Sequence, residues 1–238
     1  MKNEKKTVII SVCIKFAVVF FALWGLIKCF FGSGFMGGAS LILYFTMQSN
    51  IWIAVVDTLL AVLMLRSFKT GSYALNPRLY LLQQVFTVAI TLTGVVFCFV
   101  LLPAFMAQGD IGMFILKSYE QLFLHVATPL LAAVDLLVFT RHSSFKKSQC
   151  LWAALPPLYY LAFSAVGYVH GWNFGGGNNY PYFFLNYGSP AGFFGFSDEM
   201  PYFMGSFYWI LALVVFVLGV SLIYIAAVNR RIKKHSDS

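Results

Sequence analysis

Six long apolar runs, separated by shorter polar or glycine-bearing connections, account for nearly the whole chain: residues 7–31, 41–65, 78–105, 121–140, 151–170 and 205–228. Each reaches the roughly 20 residues that an α-helix needs to cross the hydrocarbon core of a bilayer. The pattern predicts an all-α integral membrane protein, with six transmembrane helices in one bundle and a single polytopic domain over residues 1–238. The first run is longer than the apolar stretch of an ordinary signal peptide and is read as a span. One connection breaks the pattern. Residues 171–204 hold a dense series of Phe, Tyr and Trp with only Asp198 and Glu199 as charges, a composition suited to the lipid–water interface or to a lid folded over the bundle mouth.

Composition sharpens this picture. Hydrophobic residues make up 60% of the chain and charged residues 10%, and the mean hydropathy is +0.80; a soluble domain carries roughly 25% charge, so a water-soluble enzyme is excluded. The net charge of +8 does not describe a nucleic-acid surface, because the basic residues sit at the ends of the apolar runs. Lys2, Lys5 and Lys6, then Arg66, Lys69 and Arg78, then Arg141, Lys146 and Lys147, and finally Arg230, Arg231, Lys233 and Lys234 all fall on one side of a six-span topology. Lys28 and Lys117 fall on the other, with Asp110, Glu120, Asp198 and Glu199. The positive-inside rule then predicts cytoplasmic termini in a cell membrane. Lys15, within the first span, is long enough to snorkel toward the headgroups.

Several common chemistries leave no trace. Cys13, Cys29, Cys98 and Cys150 show no CxxC or zinc-finger spacing. Gly175-Gly176-Gly177 lacks the Lys-Ser/Thr that completes a phosphate-binding loop. No metal site and no cofactor is expected, and the oligomeric state stays open.

The informative feature is polarity inside the spans, where ionisable and hydrogen-bonding groups are costly and mark interior or functional positions. At 100° per residue, Asn50 lies about 40° and Asp57 about 20° from Thr46, so these three share a face of the second span. His125, Thr128 and Asp135 form a similar stripe on the fourth. Both spans run in the same direction, and Thr46 and His125 lie about 8 and 6 Å below the starts of their runs. A hydroxyl and an imidazole at one depth suit a nucleophile and its general base. His170, at the outer end of the fifth span, is a rival base.

Tyr44-Phe45-Thr46-Met47-Gln48-Ser49-Asn50, the helix around His125 with Pro129 and Asp135, Pro156-Pro157-Leu158-Tyr159, and Tyr180-Pro181-Tyr182-Phe183-Phe184-Leu185 together resemble the bacterial branch of the androgen-induced-protein family of six-helix membrane proteins. Animal members act as threonine hydrolases on lipid esters, notably fatty acid esters of hydroxy fatty acids, through one intramembrane Thr and one His. The resemblance places those roles on Thr46 and His125 and implies a lipid substrate drawn from the bilayer. Asp57 and Asp135 lie about 15 Å deeper than this pair, too far to complete a triad, so a dyad is expected. Gln48, Ser49 and Asn50 are candidate oxyanion, substrate-binding or orienting donors; the two aspartates are expected to bond Gln83, Gln84 or Lys15 in the inner half. The alternative is a lipid-binding or small-molecule transport protein whose polar stripes line a path and break no bond.

Overall fold

The computed structural model describes residues 2–31, 39–71, 75–107, 117–140 and 143–236; Asp110 and Arg141, two of the residues behind the charge asymmetry, lie outside these. Among these described residues, six helices are long and apolar enough to cross a membrane: α1 (Lys2–Phe31), α2 (Phe45–Thr70), α3 (Pro77–Met106), α4 (Tyr119–Phe139), α5 (Lys147–Val169) and α6 (Ser206–Ser236). The sequence pattern located all six. It placed the start of α2 a few residues early, because Ala39–Leu43 forms a separate 3-10 turn, and stopped α6 short, because the helix continues through Arg230 to Lys234, basic residues that favour the negative end of its dipole.

The first turns of α1 and the last turns of α6 pack together at one end of the bundle. There Val8 and Val12 of α1, Ala61 and Met64 of α2, Tyr80 of α3, Leu136 of α4, and Ile225 and Val228 of α6 form one apolar cluster. Midway, Val18, Ile53, Ile90 and Ala132 join α1, α2, α3 and α4. The mouth end is closed by Leu26, Cys29, Leu41, Met47 and Leu124. Close approach of α1 to α4 depends on Gly25, where a Cβ would lie 2.6 Å from Leu124 Cγ. Many large apolar side chains remain exposed around the bundle, including Phe20, Val55, Leu130 and Val215. A membrane protein with a lipid-facing surface has this distribution, since hydrocarbon does not penalise such exposure.

α3 and α4 are not regular helices. Wide turns span Phe97–Leu101 in α3 and Phe123–Ala127 in α4. Each is closed by an i→i−5 bond, Leu102 N–H to Phe97 O and Thr128 N–H to Phe123 O. Each lies just before a proline, Pro103 or Pro129. Proline has no N–H for the carbonyl four residues back and its ring collides with that carbonyl, which widens the preceding turn. In α4 the freed carbonyl belongs to His125. A third wide turn, Asp135–Phe139, ends the helix.

Lys15 does not snorkel. It is 1% exposed and points into the bundle, where its ammonium pairs with Asp135 and stands 3.9 Å from Asp57 Oδ1. Asp135 also accepts from Ser11 Oγ at 2.6 Å and Gln83 Nε2 at 2.6 Å, whereas Gln84 turns away to Ser221 Oγ. Two buried carboxylates exert a stronger pull than the distant headgroups, because an unpaired charge in a low-dielectric interior costs several kcal/mol.

Candidate active site

The N-terminal turn of α2 carries the candidate nucleophile. Tyr44, the residue before the helix, is extended and makes no side-chain cap; Thr46 follows in the first turn. On α4, the wide turn before Pro129 carries His125. Thr46 Oγ1 and His125 Nε2 are 3.2 Å apart, with both residues buried. His125 Nδ1 lies 3.0 Å from the Gln121 carbonyl. A carbonyl only accepts, so the ring proton sits on Nδ1 and Nε2 is left to accept from the threonine hydroxyl. Phe97, at the wide turn of α3, stacks on the imidazole with centroids 3.9 Å apart and planes 19° from parallel. The imidazole is therefore fixed in tautomer by a backbone group and in plane by an aromatic ring.

Gln48, Ser49 and Asn50 follow Thr46 on α2 and are not among the described residues that line the cleft in front of it. Gln48 Nε2 donates to the Ile42 carbonyl at 3.1 Å, tying the 3-10 turn to α2. Ser49 Oγ contacts the Thr46 carbonyl at 3.1 Å and Thr93 Oγ1 on α3 at 2.8 Å. Asn50 Nδ2 donates both to the Thr46 carbonyl at 2.8 Å and to the Leu124 carbonyl at 3.2 Å. It thus bridges the residue that carries the hydroxyl and the neighbour of the imidazole. Asp57 and Asp135 belong to the Lys15 cluster deeper in the bundle. His170 closes the end of α5 and is exposed. Among the described residues, no three His, Cys, Asp or Glu side chains converge as metal ligands.

Gly94 admits α4 to the site. A Cβ there would lie 2.8 Å from the His125 carbonyl and 3.2 Å from Pro129. Backbone cannot yield cheaply, so Gly94→Ala is expected to cost about 1–3 kcal/mol and to push His125 away from Thr46. A lower thermal midpoint of the purified protein checks this; an unchanged midpoint contradicts it.

Thr46 borders an apolar cleft whose empty space, counted together with its open side, is about 670 Å³, lined by residues of α2, α3, α5 and α6 and by Tyr182, Phe184 and Leu185 of the aromatic connection. α5 and α6 meet through the 3-10 segment Lys147–Ala154. Beyond it they diverge, and the cleft lies between Pro157, Leu158 and Leu161 on one side and Ile210, Leu213 and Val214 on the other. Residues 171–204 fold back over it. Phe174, Phe184, Leu185 and Ala191 are buried, and Phe184 and Leu185 share a cluster with Phe45, Leu92, Tyr160 and Val217. The Gly175–Gly177 stretch is a tight turn at positive φ whose Gly175 and Gly177 N–H groups donate to Asn173 Oδ1. The later part, with Phe194, Phe196 and Met200, is exposed.

Sequence reading did not single out the Gln121 carbonyl, Phe97, Thr93 or Tyr182 as parts of this site. A backbone carbonyl leaves no mark in a sequence; Pro129, four residues after His125, was the one available signal that the helix is distorted there. Compared with protein-family models, curated proteins and solved structures, the chain matches none.

Proposed function

We propose that this is a multi-pass membrane protein with cytoplasmic termini that hydrolyses a fatty-acyl ester of a membrane lipid, using Thr46 as nucleophile and His125 as base. The observation that carries the reading is the 3.2 Å contact between Thr46 Oγ1 and the acceptor nitrogen of His125 at an apolar cleft. The likeness to the androgen-induced-protein family at these positions supports it further. In the reaction, His125 Nε2 takes the hydroxyl proton as Thr46 Oγ1 bonds to the ester carbonyl carbon. The C–O bond to the alcohol then breaks, and the departing oxygen takes that proton from His125. Water attacks the acyl-threonine with His125 again as base, releasing the carboxylic acid and restoring Thr46. The N-terminal end of α2 at Thr46 favours the negative charge that develops on the carbonyl oxygen.

The cleft suits an uncharged chain. Among the described residues its lining includes no Lys, Arg, Asp or Glu, which suits an acyl tail better than a charged headgroup. Its place between α5 and α6 points to entry from the lipid side. The direct test is labelling of the purified protein by a fluorophosphonate, which reacts with activated hydroxyl nucleophiles. Labelling on Thr46 together with release of fatty acid from a neutral ester is the expected result. Absence of both in folded protein overturns the hydrolase reading and leaves lipid binding or transport. For the topology, a reporter fused at Ser148 is expected to read as cytoplasmic; an external reading contradicts the assigned orientation.

A further inference from the structure

We propose that Tyr182 is a further catalytic residue of the Thr46–His125 site, its hydroxyl donating a hydrogen bond to the oxyanion formed when Thr46 Oγ1 attacks an ester carbonyl. This rests on the hydrolase reading above and extends it to the aromatic connection. An acyl transfer needs donors aimed at the place where the carbonyl oxygen becomes charged, and removing one donor of this kind typically costs 10²–10³-fold in turnover. The four polar side chains lining the cleft are Thr46, Thr93, Tyr160 and Tyr182. Thr46 is engaged with His125. Thr93 pairs with Ser49 Oγ at 2.8 Å, and Tyr160 donates to the Leu43 carbonyl at 2.9 Å. Tyr182 is the remaining one: it lines the cleft together with Thr46, and its ring packs against Tyr44, two residues before Thr46, and against Tyr160.

A hydroxyl in the cleft that Thr46 lines, where the first turn of α2 begins, is placed to meet a substrate carbonyl oxygen during attack. When a substrate carbonyl enters the cleft beside Thr46, the Tyr182 hydroxyl has the new oxygen as its acceptor. Its ring is held for this role. It stacks on Phe184 with centroids 5.1 Å apart and planes 6° from parallel, and meets Tyr44 edge-on at 5.7 Å and Tyr160 at 6.2 Å. A donor fixed in advance needs no reorganisation at the moment of reaction. Burial pushes the Tyr182 phenol up to about 12, against the opposing effect of the Thr46 and Phe45 contacts, so the proton is in place at neutral pH. Tyr182 keeps that proton throughout; the proton that moves travels from Thr46 to His125 and on to the departing alcohol oxygen.

The test uses the full chain in detergent micelles or nanodiscs with a p-nitrophenyl fatty-acyl ester and its thiono analogue. Tyr182→Phe keeps the ring and its stacking. Its kcat is expected to fall about 10²–10³-fold with little change in KM, and fluorophosphonate labelling of Thr46 is expected to slow. Sulfur accepts hydrogen bonds poorly, so the parent should strongly prefer the oxo ester and Tyr182→Phe should show a smaller preference. A merely structural role would leave that ratio unchanged. An active parent whose Tyr182→Phe variant matches or exceeds it, or keeps the full oxo-to-thiono preference, overturns the role of Tyr182 alone. If Tyr182→Phe fails to fold, a parent with equal rates on both esters overturns that role. A folded parent inert to both ester and probe overturns the hydrolase reading, and this proposal with it.

Discussion

Thr46→Ala and His125→Ala are each expected to reduce ester turnover by roughly 10⁴–10⁶-fold, and the double variant to be no slower than the worse single one. Nucleophile and base act as a unit, so removing either leaves only the residual effect of binding and oxyanion stabilisation. The 3.2 Å contact between Thr46 Oγ1 and His125 Nε2, and the Gln121 carbonyl that keeps the proton on Nδ1, give the physical basis. Thr46→Ser retains the hydroxyl and is expected to keep measurable activity. Initial rates on a fatty-acyl ester, with thermal unfolding as a control for fold, check the series. Alanine variants as active as the parent would remove Thr46 and His125 from the chemistry.

The largest expected effect on stability comes from Lys15→Met. The side chains are similar in length, so packing is nearly preserved while the ammonium is lost. Asp57 and Asp135, 0% and 1% exposed, then remain as two buried carboxylates. Removing one partner of a buried ion pair costs about 3–5 kcal/mol, a large part of the total stability of an ordinary domain. The thermal midpoint of Lys15→Met is expected to fall sharply, and adding Asp57→Asn should restore part of the loss. A Lys15→Met protein as stable as the parent would show that the pairing contributes nothing.

The connection at 171–204 divides the two kinds of information. Its aromatic content announced that it would not float in water, and Phe174, Phe184 and Leu185 are indeed buried against the helices. Composition did not reveal which ring would reach Thr46. Twelve aromatic residues in a loop are equivalent until turns place them, and here the short 3-10 turn Phe183–Leu185 follows Tyr182 as it enters the cleft that Thr46 lines. Gln48, Ser49 and Asn50 show the same limit. Their closeness to Thr46 was legible, but their donors are taken by carbonyls, that of Thr46 on α2 itself together with those of Ile42 in the 3-10 turn and Leu124 on α4.

For Lys15 the expected bond to the inner aspartates is present and the expected snorkelling is not. A lysine near the end of an apolar run usually reaches for water, and the sequence contains no measure of how near Asp57 and Asp135 lie across the bundle. What the sequence by itself determined is whatever follows from periodicity along one helix: six apolar runs long enough to span, the stripe of Thr46, Asn50 and Asp57, the stripe of His125, Thr128 and Asp135, and the common depth of Thr46 and His125. Those depend only on a constant rise and rotation per residue. The tertiary structure alone decided which stripes face one another, the turning of His125 by Pro129 and the Gln121 carbonyl, the inward path of Lys15, and the cleft between α5 and α6. All but the turning of His125, which is local to α4, are set by contacts between helices far apart in the chain, where a rotation of one helix by a single residue would aim every one of its side chains elsewhere.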